Sequence, residues 1–152
     1  MKPLNSELTI LKPSARAKRW APLMDHALRY LDDRSALNLN PLSRLKHVKE
    51  VAATNFAQGV LPRGMALRHL ILEAVAQLKR DLAGEARYSR MLTFLDFSCK
   101  GLARGKISRE LNLNREYVSR KIRPQATELL ACQFLRISRN TNTRISATKP
   151  LD

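Results

Sequence analysis

Arg115, Glu116, Ser119, Arg120 and Arg123 fall on one side of a predicted helix, opposite Val118 and Ile122. Two of these side-chain types are built for recognising flat, polar edges. An arginine guanidinium is a planar fork of donors that meets two acceptors at once, and a carboxylate accepts from an amino group. Guanine offers the fork its O6 and N7 in the major groove of DNA, and cytosine offers the carboxylate its N4 amino group. Arg120 is the first choice for such a contact, followed by Arg115 and Glu116, with Ser119 beside them. Lys106, Arg109, Lys121 and Arg123 are better suited to phosphates, and Tyr117 serves either role or packs. No catalytic residue is assigned, because the chain shows no clustered nucleophile, base or acid constellation.

Side chains of this kind act only if two helices hold them at a fixed angle. Taking Ile107 as origin, Ser108 is a small residue where the two helices approach, and Leu111 completes the inner face of the first. Asn112 stands where a tight turn needs a left-handed residue, which glycine takes most readily and asparagine next. Leu113 plugs the turn, Asn114 is an N-cap, and Val118 and Ile122 face back into the core. The spacing over 107–122 predicts a helix-turn-helix, whose second helix enters the major groove with its N-terminal residues on base edges. Such an apolar pattern also occurs in ordinary helical hairpins, and some units of this shape bind only protein.

Charge supports a polyanionic partner. The 152 residues carry 28 Lys and Arg against 13 Asp and Glu, a net +15. That excess costs self-repulsion, but each cation that neutralises a phosphate releases a condensed counterion. Residues 101–152 are the most basic, with eleven Lys/Arg against four Asp/Glu. Double-stranded DNA is the expected partner. An RNA-binding role is disfavoured because aromatic residues are 5% of the chain and form no stacking platform.

Upstream, residues 1–21 read as a basic arm, interrupted by Pro3 and Pro13, with Arg16, Lys18 and Arg19 beside Trp20. Pro22 suits a first helical turn, and Leu23, Ala27, Leu28 and Leu31 recur at helical spacing. Asn40-Pro41 starts a further helix with Leu42, Leu45, Val48 and Ala52, which Gly59 and the Pro62-Arg63-Gly64 turn bring to an end. Asp32-Asp33 reads as a helix-end turn and not a catalytic pair. Leu67, Leu70, Ile71, Ala74, Val75, Leu78 and Leu82 give the strongest helical period in the chain, broken by Gly84. A helix over 85–100 follows. Pro124 is expected to end the second helix of the motif. The stretches 134–138 and 143–147 form either a short hairpin wing or, preferably, a helix end and a loose basic tail.

The fold class expected is all-α, a helical bundle with a C-terminal helix-turn-helix. Its regions are 1–21 (arm), 22–83 (packing or dimerisation), 85–138 (DNA-binding unit) and 139–152 (flexible tail). Cys99 and Cys132 read as reduced core thiols, and His26, His47 and His69 lack metal-ligand spacing, so neither metal nor cofactor is expected. The sequence shows no apolar leader and no run of transmembrane length, which makes a reducing cytoplasm, on the nucleoid, the default and gives no membrane partner.

Phe94, Leu95 and Phe97, followed by Gly101 six residues before Ile107, extend the pattern. Over residues 88–135 the layout resembles the LuxR-type helix-turn-helix, also found in response-regulator output domains and sigma-factor region 4. Lys106, where that family has an acidic residue, and Pro124 depart from it. The resemblance implies a tetrahelical DNA-binding domain, with a fourth helix over 125–136 packing Leu129, Leu130 and Phe134. The function implied is a sequence-specific transcriptional regulator acting as a homodimer, or with a protein partner, through its N-terminal helices. The alternative is a helical adaptor of a phage or mobile-element nucleic-acid machine that uses the motif for protein contacts.

Overall fold

A computed structural model of the chain describes residues 15–54 and 62–148, with side chains placed for 15–53, 62–103 and 105–137. Among the described residues the fold is all-helical, with no strand. The elements are α1 (Ala15–Arg29), α2 (Arg34–Leu39), a 3-10 turn (Pro41–Arg44), α3 (Lys46–Thr54), α4 (Arg63–Asp81), a 3-10 turn (Ala86–Tyr88), α5 (Ser89–Cys99), α6 (Arg104–Leu111), α7 (Arg115–Tyr117), a π-helical turn (Val118–Ile122) and α8 (Arg123–Thr148).

The predicted stripe of α4 is the centre of the core. Leu67, Leu70, Ile71, Ala74, Val75 and Leu78 are all buried, and α4 packs against α2, α3, α5 and α8. At its start Gly64 lies against α2, where its N–H donates to the Asn38 side chain at 2.6 Å. A methyl group there would stand 2.6 Å from that oxygen and 2.8 Å from the Asn38 backbone nitrogen. The Pro62-Arg63-Gly64 segment opens α4; Gly59, expected with it to end the preceding unit, lies outside the described residues. Gly64 is a contact point between helices.

Two segments are more helical than their prolines suggest. The expected arm is helix from Ala15 onward, with Pro22 inside α1; residues 1–14 lie outside the described residues. Burial explains it: Ala17, Ala21, Met24, Ala27 and Leu28 form an apolar stripe, and α1 lies along α8. That burial outweighs the one backbone hydrogen bond a proline removes. Likewise Pro124 does not end the second helix of the motif, which passes through the π turn into α8. The π turn ahead of it widens the backbone, and the Arg123 N–H donates to the Val118 carbonyl five residues back. A widened turn makes room for the proline ring, which otherwise clashes with the carbonyl four residues before it. From Gln125 to Ala147 the sequence contains no Gly or Pro. The stretches 134–138 and 143–147, expected as a wing or as a helix end and tail, accordingly continue α8 to Thr148; residues 149–152 lie outside the described residues.

Asn40 ties the N-terminal helices together. Its side-chain oxygen accepts from the Leu42 N–H at 2.9 Å, capping the 3-10 turn, and its amide donates to the Leu23 carbonyl of α1 at 3.0 Å. Asp33 caps the six-residue α2, accepting from the Ala36 N–H at 3.1 Å. Buried residues of α1, α4, α5, the 107–122 unit and α8, from Met24 to Ile137, form one main cluster, beside a small second one of Ala17, Ala131 and Leu135, so the N-terminal helices and the 107–122 unit share a core.

His47 is the exception in that core. It is 1% exposed, packs edge-on to Phe134 at 4.9 Å between ring centres, and among the described residues neither ring nitrogen has a hydrogen-bond partner. Burial pushes its pKa down to about 4, from an ordinary 6.5. The unfolded chain therefore binds the proton more readily, and stability present above pH 6.5 is lost as pH falls towards 4. Two outcomes follow for equilibrium unfolding. Wild type loses up to about 3 kcal/mol across that window, and His47→Leu flattens the loss. Gly64→Ala destabilises at every pH, by about 1–3 kcal/mol, because α2 must move away.

Candidate nucleic-acid interface

The site is built from two turns. The first ends α5: Gly101 takes φ +82°, its N–H donates to the Ser98 carbonyl, and the Leu102 N–H donates to the Phe97 carbonyl. This paired closure stops the helix and turns the chain into α6. The second repeats the device with asparagine. Asn112 takes φ 55° and ψ 44°, its N–H donates to the Arg109 carbonyl at 3.0 Å, and the Leu113 N–H donates to the Ser108 carbonyl at 3.0 Å. Asn114 then caps the next helix, its side-chain oxygen accepting from the Glu116 N–H at 2.7 Å. The expected roles of Asn112 and Asn114 are both present as geometry.

The turn is held against the core from both sides. Ile107 and Ser108 of α6 are buried, and so are Val118 and Ile122 of the π turn. Leu111 and Leu113 pack on the same cluster. Ser108 also donates its hydroxyl to the Gly105 carbonyl at 2.8 Å, which satisfies that polar group inside the contact. With these residues inward, the rest of the second helix faces outward. Arg115, Glu116, Ser119, Arg120 and Lys121 are all exposed, and Tyr117 is 43% exposed. On α6, Lys106 and Arg109 are exposed as well.

Within this face Arg120 pairs with Glu116 at 2.9 Å, one helical turn away. Both side chains are largely in water, so the pair is worth at most about 1 kcal/mol and opens easily for another partner. The Arg115 guanidinium lies over the start of α6, where a methyl group on Gly105 would stand 4.0 Å from its Cζ. The face thus presents separate cationic forks and one carboxylate, none of them buried.

Arg123 is placed differently from its expected partners. Its Nη1 meets Asp25 of α1 at 3.0 Å, and its Nε donates to the Ser119 carbonyl at 3.2 Å. It is a strut between α1 and the second helix, half-buried in that role. Sequence spacing could not find this, because Asp25 is 98 residues away.

Other titratable clusters lie apart from the face. Asp96 is held below the usual carboxylate range by hydrogen bonds from Lys79 at 2.8 Å and from Lys100 at 3.0 Å. Cys99 is partly buried, and burial pushes its thiol up to about 11, so it stays protonated. Among the described residues no group of three His, Cys, Asp or Glu is arranged to hold a metal, and no helix is long and apolar enough to cross a membrane. Comparison of the chain with protein-family models, curated proteins and solved structures gives no match in any of the three.

The left-handed turn sets a graded prediction. Asn112→Ala costs about 1–2 kcal/mol in thermal unfolding, since a Cβ without a local hydrogen-bonding group is disfavoured at positive φ. Asn112→Gly is neutral or slightly stabilising.

Proposed function

We propose that the chain is a sequence-specific binder of double-stranded DNA, a transcriptional regulator that reads the major groove with the helix beginning at Arg115. One observation carries the reading. A tight left-handed turn and three buried apolar anchors, Ile107, Val118 and Ile122, leave a solvent-facing strip of Arg115, Glu116, Ser119, Arg120 and Lys121. That is the arrangement by which a helix-turn-helix offers base-reading groups to the major groove. The succession of α5, α6, α7 and α8 is in keeping with the tetrahelical layout of the LuxR-type resemblance, although the last two run together through the π turn.

In the free protein Glu116 and Arg120 satisfy one another. On a duplex they exchange partners, Arg120 taking guanine O6 and N7 and Glu116 accepting from a cytosine amino group. The exposed pair gives up little in the exchange. Lys106, Arg109, Lys121 and Tyr117 surround the reading groups and engage phosphates, which fix register without carrying sequence. A helix this short reads only a few base pairs, so the regulator acts as a homodimer or beside a protein partner, contacted through the N-terminal helices.

Binding to duplexes selected from a random pool tests the assignment. Arg120→Ala relaxes preference at one position of the site, costing about 1–3 kcal/mol against the best sequence. Lys121→Ala weakens selected and scrambled duplexes alike and lowers the salt slope by about one. If both variants bind the selected duplex as wild type does, the second helix is not the reading element.

A further inference from the structure

The Arg123 strut joins the reading helix to a second basic surface. From Ser119, in the outward strip, the path runs through the Arg123 side chain to Asp25 of α1 at 3.0 Å, and Asp25 lies 4.0 Å from Arg29. Lys18, Pro22, His26 and Arg29 are exposed at spacings of three and four along α1, so they form one stripe on that helix. A groove of about 320 Å³ separates this stripe from the start of α8, lined by Lys18, Pro22, Asp25, Arg123, Thr127 and Glu128. At the other end, Arg29 and Tyr30 share a second groove with Asp32, Asp33, Ala103 and Ile107, at the head of α6. The stripe therefore runs from beside the start of α8, directly after the 115–121 strip, to the head of α6.

The charge of α1 as a whole fits a polyanion. α1 carries Arg16, Lys18, Arg19 and Arg29 against a single acidic residue, Asp25, and Asp25 is already matched by Arg123. The acidic Asp32 and Asp33 follow directly and mark where the basic stripe stops. Lys18 and Arg29 are eleven residues apart, about 16 Å along the helix, which equals the rise of roughly five base pairs.

We propose that α1 is a second DNA-contacting element, in which Lys18 and Arg29 take phosphates flanking the bases read from the 115–121 strip; this rests on the duplex-binding reading above. The Asp25–Arg123 pair positions α1 for that contact and does not itself touch DNA. Backbone contacts then come from both α1 and the 104–122 unit, and base reading from the latter alone.

The double variant Lys18→Ala/Arg29→Ala tests it in the full chain, using a duplex selected by wild type and a scrambled one. The expected result is a salt dependence of log K shallower by about two. Affinity for both duplexes falls by the same factor, and sequence preference stays unchanged. The double variant Arg80→Ala/Arg87→Ala removes equal charge outside the stripe and keeps the wild-type slope. If Lys18→Ala/Arg29→Ala also keeps that slope while wild type binds, α1 is not a contact element and the function proposed for the second helix stands. A wild-type chain that binds no duplex overturns both.

Discussion

The burial of Ile107, Val118 and Ile122 in one shared core is the constraint on which the rest of the structure depends. These three side chains belong to the same apolar cluster as Met24 of α1, Ile71 of α4 and Phe134 of α8. Because they must point inward, the polar side of the 115–121 stretch has no choice but to point outward. The Asn112 turn sets the path between α6 and the second helix, and the core sets how that pair is rolled relative to everything else. The strip of arginines is thus a consequence of packing and was not placed by contacts of its own.

The shared core also changes what the N-terminal helices are for. A bundle tethered by a linker would present the outward strip at variable angles. Here α1 lies along α8, and the Asp25–Arg123 pair locks α1 to the helix that follows the strip. Asn40 adds a second fastening through the Leu23 carbonyl. The strip is fixed on the same packed core as the N-terminal helices, a placement that the proposed base-edge contacts would need.

Much of this was legible in the residues. The α4 stripe follows from a 3.6-residue period alone, and Asn112 and Asn114 follow from the few residue types that accept a left-handed turn or an N-cap. The prolines misled, because their effect depends on surroundings that local sequence does not carry. Pro22 is tolerated where α1 is pinned by burial, and Pro124 where a π turn opens the backbone ahead of it. Gly64 reads locally as a breaker, yet it is a point of close approach to Asn38. The short α2 has too few residues to show a period and owes its start to Asp33. The Asp25 partner of Arg123 is not legible locally, because no spacing rule reaches across 98 residues.

The central claim is that the outward strip reads a base sequence in duplex DNA. Selection of bound duplexes from a random pool by the full chain, with the mass of the bound species measured in solution, tests it most directly. The account predicts enrichment of a short G·C-containing motif, two-fold symmetric if the bound species is a homodimer. Salt-dependent binding with no enriched sequence after repeated rounds would contradict it.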